Sequence, residues 1–257
     1  MSIEHFPIKD GLVCEWQRQG GKIGKGFFGK TYQVCCQAKC DYVMKVIKLV
    51  TEKATDDDDD DDDDDDVNEN TTSPAEFAEE VRMTVIASEL GIGPKIYDAW
   101  IDDEIGDGVG YIVLEKLFPL PIPYDEEFLE YMYFLPPDIK DHIISQYKHM
   151  PPLSDKKLAK LIKETMSYYQ LYATMIPIIE SSAWTQFRQK IQLLNQHSIC
   201  HNDIKFLNIM LNSQSELVLI DYGMAKENRN MVDCRDLKLL DFFAGVITGG
   251  FKGYDKS

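Results

Sequence analysis

Residues 24–31 read GKGFFGKT, and two phosphate-binding patterns fit them at once. Gly24, Gly29, Lys30 and Thr31 satisfy G-x-x-x-x-G-K-[ST], which delivers its phosphates to the N-terminus of a following helix. Gly24, Gly26 and Gly29 satisfy G-x-G-x-x-G in the form that makes the turn of a β-hairpin. The continuation decides. Residues 32–50 run YQVCCQAKCDYVMKVIKLV, rich in β-branched and aromatic residues with a polar break at 39–41. That pattern predicts two strands and a turn, so the glycines belong to a hairpin and the Lys30-Thr31 match is coincidental.

At 257 residues with 44% hydrophobic content, the chain can bury a real core in one large domain or two small lobes. Its net charge is −17, but the run Asp56–Asp66 holds 11 of the 44 acidic residues, leaving 33 against 27 basic ones. No basic face offsets this, which argues against nucleic acid as a direct partner. The N-terminus has neither a basic nor an apolar leader region, and no apolar run is long enough to span a bilayer. A soluble, intracellular protein without membrane association is expected. The six cysteines are read as buried or half-buried thiols rather than a disulfide framework; Cys35 and Cys36 point to opposite strand faces, against a zinc site with Cys40.

Residues 55–70 are acidic and of low complexity, which predicts a disordered insertion. Order resumes at Ser73-Pro74-Ala75-Glu76, where Ser73 can cap a helix and Glu76 complete a capping box. That helix is expected to reach about Leu90 and stop at Gly91, followed by strands at 96–102 and 110–115. Beyond Tyr124 the pattern turns helical, at roughly 125–134, 137–147, 154–175 and 182–196. In the last, Trp184, Phe187, Ile191 and Leu194 recur at helical spacing as a core stripe. A β-rich first part (1–116) and a helical second part (117–257) follow, with a proline-containing hinge near 117–124.

Further motifs appear in order. Residues 201–208 read HNDIKFLN and residues 220–223 read IDYG, while Lys45 lies in YVMK and Glu80 on the helix after the acidic run. Together with the glycine hairpin, these resemble the H-R-D-x-K-x-x-N loop, the D-F-G motif, the V-A-I-K lysine and the partner glutamate of eukaryotic-type protein kinases. The resemblance covers roughly residues 20–246 and implies an α+β, two-lobed protein-kinase-like fold with a truncated helical lobe.

It also implies roles. Gly24, Gly26 and Gly29 would let backbone N–H groups cover the phosphates of ATP, and Lys45 would bind the α- and β-phosphates, oriented by Glu80. Asn208 and Asp221 would hold Mg2+, a hard cation suited to oxygen ligands. Asp203 would accept the proton of the attacking hydroxyl, and Lys205 would stabilise the transferring group. Ile23, Thr31, Val43, Leu114 and Met210 would sandwich adenine, with the backbone of Glu115 to Leu117 at its edge. Glu79 and Glu80 are adjacent, so only one can face Lys45; Glu80 is favoured because Val81, Val85 and Ile86 then flank the inward face.

The pattern also departs from the family. Asn202 stands where many kinases carry an arginine that grips a phosphorylated loop, so control by that phosphorylation is not expected. Only nine residues separate Gly223 from Asp233, too few for a peptide-docking segment, and no A-P-E motif follows. Residues 233–246 resemble the buried kinase helix whose aspartate, here Asp236, anchors the catalytic loop. Conversely, 85 residues lie between Glu115 and His201, and the helices at 125–175 are expected to replace the missing C-terminal ones.

The resemblance implies transfer of the γ-phosphate of ATP to serine or threonine hydroxyls of a protein substrate, Lys205 favouring that acceptor class. Two alternatives stay open: an atypical kinase or ATPase acting within a complex, and a nucleotide-binding pseudokinase that serves as an interaction module. Residues 89–100, ELGIGPKIYDAW, are also similar to kinases of large DNA viruses, which would place the chain in a host cytoplasm.

Overall fold

The glycine stretch does fold as a hairpin. In the computed structural model, which describes residues 3–26, 29–50, 72–102, 108–120, 176–228, 231 and 234–247, the first strands are β1 (Ile3–His5), β2 (Gln17–Gly26), β3 (Gly29–Cys36), β4 (Lys39–Lys48), β5 (Ile96–Asp102) and β6 (Val109–Glu115). Gly26 pairs with Gly29, Lys25 with Lys30 and Gly24 with Thr31, so Lys30-Thr31 lies within a strand and opens no helix. Gly29 is required sterically: a Cβ there would collide with the Val46 carbonyl oxygen. The six strands form one antiparallel sheet in the order β1-β5-β6-β4-β3-β2.

The β3–β4 turn falls at Gln37-Ala38, both at positive φ (48° and 67°), rather than at the polar residues 39–41, which begin β4. Such two-residue turns favour Asn-Gly, which is why the sequence misleads here. Cys35 and Cys40 are joined across this turn by a disulfide. Cys14–Cys36 and Cys200–Cys234 are bonded likewise, so the thiol reading of all six cysteines is corrected. The opposite facing of Cys35 and Cys36, which argued against zinc, is what sends them to different partners.

Helix α1 (Pro74–Glu89) begins with the full capping box: Glu76 N–H donates to Ser73 Oγ at 3.2 Å and Ser73 N–H to Glu76 Oε2 at 2.9 Å. Gly91, at φ +68°, ends the turn that follows it. Val50 N–H donates to the Thr72 carbonyl at 3.1 Å, so the residues that flank 51–71 lie side by side. The acidic insertion at 55–70 and the helices expected at 125–134, 137–147 and 154–175 lie outside the described residues, and so does their role in replacing missing helices.

Two further helices, α2 (Ser182–Gln196) and α3 (Asp236–Ile247), accompany short strands β7 (Phe118–Pro119), β8 (Ile199–Cys200), β9 (Ile209–Leu211), β10 (Leu217–Leu219) and β11 (Lys226–Glu227). Strands β10, β9 and β7 make one small sheet, and β11 pairs with β8. The stripe Trp184, Phe187, Ile191 and Leu194 is buried as expected. Helix α1 serves two cores. Phe77 and Val81 pack with Ile47, Ile96 and Ile112 of the large sheet, whereas Met83 and Ala87 pack with the α2 stripe and Tyr222. Fully burying a Phe, Val or Met side chain contributes about 1.5–3 kcal/mol, so α1 is held from both sides. The architecture is mixed α+β, with a β-rich N-terminal antiparallel sheet.

Candidate functional site

Lys45 is placed by register. It pairs with Thr31 on one side and Ile112 on the other, and because strand side chains alternate, Thr31, Val43, Lys45 and Leu114 share the sheet face that carries α1. Its ammonium donates to Glu80 Oε1 at 2.6 Å and to Asp221 Oδ1 at 2.8 Å. Glu79 turns outward to Arg82. Glu80, on α1, is 4% exposed. Burial raises its carboxyl, Lys45 opposes that, and Asp221 adds to it; the balance lies above the ordinary carboxylate range. For Asp221 burial acts upward too, but the Lys45 charge and hydrogen bond win and hold it low. Burial alone would lower Lys45, yet the two carboxylates keep it above its ordinary value. One ammonium therefore joins the sheet, the helix and the Asp221 segment.

Asp221 adopts a left-handed conformation (φ 66°, ψ 77°), a strained choice for a residue with a Cβ. The loop between β8 and β9 supplies the remaining groups. Asp203 Oδ2 accepts from Asn208 Nδ2 at 2.7 Å and pairs with Lys205 Nζ at 2.9 Å. Asn208 also donates from Nδ2 to the Asp203 carbonyl at 2.9 Å, which leaves its Oδ1 as the amide's ligand atom. His201 is fully buried and burial lowers its pKa, opposed by Asp236, Asp203 and Asp221. Its Nδ1 accepts from Asp203 N–H at 3.2 Å, which leaves Nε2 to donate to the Ile220 carbonyl at 3.1 Å. Ile220 N–H in turn donates to Asn208 O at 2.8 Å. The loop and the approach to Asp221 are thus laced together.

Asp236, at the start of α3, accepts from the N–H groups of His201 (2.7 Å) and Asn202 (3.0 Å) and from Asn195 Nδ2 (3.1 Å). The anchoring aspartate was legible in sequence; Asn195 was not, since a lone helical asparagine carries no signal. Asn202, at φ 63°, donates to the carbonyls of Cys200 at 3.2 Å and Met224 at 3.1 Å.

The other expected residues are distributed around this cluster. Val43 and Leu114 face each other across β4 and β6, half-buried beside Lys45, and Thr31 is half-buried next to them. Gly24 lies beside Thr31, where a Cβ would meet nothing closer than 3.7 Å among the described residues, so packing does not demand a glycine. Gly26 and Gly29 close the hairpin. Ile23 is 53% exposed, and Met210 is half-buried in β9 opposite Pro119; among the described residues no hydrogen bond or strand pairing brings either to Lys45. Glu115 and Lys116 commit their N–H groups to the carbonyls of Lys95 (2.9 Å) and Asp41 (3.0 Å). Among the described residues this leaves Leu117 N–H as the donor of that stretch.

The donor set therefore consists of an amide oxygen, carboxylates and two ammoniums, with an apolar shelf alongside. Hard-cation and phosphate chemistry is what such a set serves. No protein-family model matches the chain, and no curated protein matches it. No helix among the described residues is long and apolar enough to cross a membrane.

Proposed function

We propose that the protein is a two-lobed, protein-kinase-like phosphotransferase that moves the γ-phosphate of ATP, with Mg2+, to serine or threonine hydroxyls of a protein. The observation that carries this is the Lys45 ammonium bridging Glu80 and Asp221 from three separate segments, within a chain that also pairs Asp203 with Asn208 and Lys205. Bound Mg2+-ATP supplies the phosphoryl group and neutralises charge on its oxygens. Asn208 Oδ1 and the Asp221 carboxylate are the ligands suited to the metal, and Val43 and Leu114 offer the apolar surface for the base. Lys45 is fixed by two carboxylates before any phosphate arrives, so little reorganisation is needed.

Asp203 holds its carboxylate between two donors, the geometry of a base that takes the proton of an attacking hydroxyl. Lys205 places positive charge at the same point, and His201, neutral and hydrogen-bonded on both ring nitrogens, fixes the loop. The short segment after Gly223 favours a second reading, an ATPase or atypical kinase that works within a complex, because nine residues leave little platform for a free peptide. Radiolabelled γ-phosphate transfer to added protein, by wild type, Asp203→Asn and Lys45→Met, tests the proposal. Incorporation by wild type alone supports it, and equal incorporation by all three refutes it. Hydrolysis without transfer moves the assignment to the second reading.

A further inference from the structure

Helix α1 and the segment following Asp221 meet at Lys45, through Glu80 and Asp221, and they meet again at the surface. Arg82, two residues beyond Glu80, donates from Nη1 to Glu227 Oε1 on β11 at 2.6 Å. The same guanidinium is held by Glu79 through Nε at 2.8 Å and Nη2 at 2.7 Å, so its fork is oriented from within α1 before it reaches across. Nearby, Lys226 adds to the depression of the Glu76 carboxyl, which is due first to the Ser73 N–H and hydroxyl. Opposite charges on β11 and α1 are therefore paired at Arg82–Glu227 and lie near each other at Lys226 and Glu76.

For the far end of that contact to be a fixed point, β11 must itself be held, and it is. Lys226 and Glu227 pair with Cys200 and Ile199 of β8. Asn228 N–H donates to Ser198 O at 2.7 Å, and Asn202 Nδ2 reaches Met224 O at 3.1 Å. The Cys200–Cys234 disulfide then ties β8 to the residues just before α3. Glu227 is a charged post on a segment already fastened to the catalytic loop.

We propose that Arg82 and Glu227 are positioning residues: their ion pair sets the distance between α1 and β11 and so keeps Glu80 and Asp221 converged on Lys45. This deepens the phosphotransferase reading and rests on it. The pair does permanently, with a carboxylate, what a phosphate added to the segment could do on demand, so the converged arrangement needs no modification.

The test uses the full chain. Glu227→Gln removes the charge at nearly constant shape and is expected to lower kcat by about two- to fivefold, the range for an exposed pair, with KM for the protein acceptor unchanged. Arg82→Glu is expected to lose more, and the charge-reversed double variant Arg82→Glu/Glu227→Arg to recover most of the loss, which a merely structural role for either side chain would not produce. Added salt should lower wild-type kcat towards that of Glu227→Gln and leave the variant little changed. Wild-type kinetics in Glu227→Gln, or no recovery in the double variant, overturns the latch while leaving the phosphotransferase reading intact. Hydrogen exchange of the α1 amides, read without nucleotide, decides the latch even if no acceptor is phosphorylated. Faster exchange in Glu227→Gln supports it, and unchanged exchange overturns it.

Discussion

Tyr222→Phe is expected to stabilise the protein, although most core substitutions do the opposite. Tyr222 is 1% exposed, and its hydroxyl has no hydrogen-bond partner among the described residues. The ring meets His201 edge-on at 4.9 Å, and the hydroxyl end is pressed against Gly93, where a Cβ would lie 3.2 Å from both Cε2 and the hydroxyl oxygen. Burial, with Asp236 adding to it, pushes the phenol well above its ordinary range, so the group is a neutral, unpaired donor. Leaving such a hydroxyl unsatisfied costs about 1–3 kcal/mol. The void left by one oxygen is smaller than a methyl group and costs less than about 1 kcal/mol. The balance favours phenylalanine by about 1 kcal/mol, which for a chain of this size raises the melting temperature by about 2–4 °C. Urea denaturation followed by far-ultraviolet circular dichroism should show a higher midpoint with unchanged slope. A loss of about 1 kcal/mol or more would show that the hydroxyl has a partner and that the reasoning is wrong.

Lys45→Met leaves two carboxylates facing each other in a buried site and should cost about 3 kcal/mol near neutral pH. The cost should shrink towards pH 5, because the raised Glu80 carboxyl takes up a proton more readily when folded than unfolded; a pH-independent difference from wild type refutes this. The His201 imidazole should stay neutral, protonated on Nε2, as the pH falls below the unfolded value of about 6.5, because burial depresses its pKa. Its contribution to stability is then complete above that value and lost below it, and ring nitrogen shifts showing protonation at or above it would contradict the assignment. Replacing Cys200 and Cys234 by serine opens a cross-link of sequence separation 34, worth about 4 kcal/mol by loop-closure entropy. Urea midpoints measure that, and cysteines freely alkylated without reductant would deny the bond.

What the sequence made legible was local. Ser73 and Glu76 lie three apart and bond to each other, so the start of α1 could be read from four letters. The stripe Trp184, Phe187, Ile191 and Leu194 announces its buried face by spacing alone. The contacts of Lys45 with Glu80 and Asp221, and of Asp203 with Asn208, could be anticipated for a different reason: the motifs resembled stand in a fixed order along the chain, which limits the element each residue can occupy. Where the local signal was weak the reading slipped, as at Gln37-Ala38, a turn that neither residue favours and that the Cys35–Cys40 bond spans.

Pairings between distant segments were not legible, because each depends on a distance that exists only after packing. Nothing about Cys200 and Cys234, Arg82 and Glu227, or Asn202 and Met224 marks them as partners in sequence. Asn202 shows the limit well. In sequence it reads only as a departure from a family motif; in the fold its amide fastens Met224, just after Asp221, to the 201–208 loop. The short segment after Gly223 follows from the same logic. A long segment has many conformations and needs a switch to select one, whereas residues 224–228 are held by the Asn202 contact, the β11 pairing and the hydrogen bond from Asn228 to Ser198. If the site transfers phosphate, its fixed contacts make the ordered state the resting state, and control has to act on access to the acceptor rather than on assembly of the groups around Lys45.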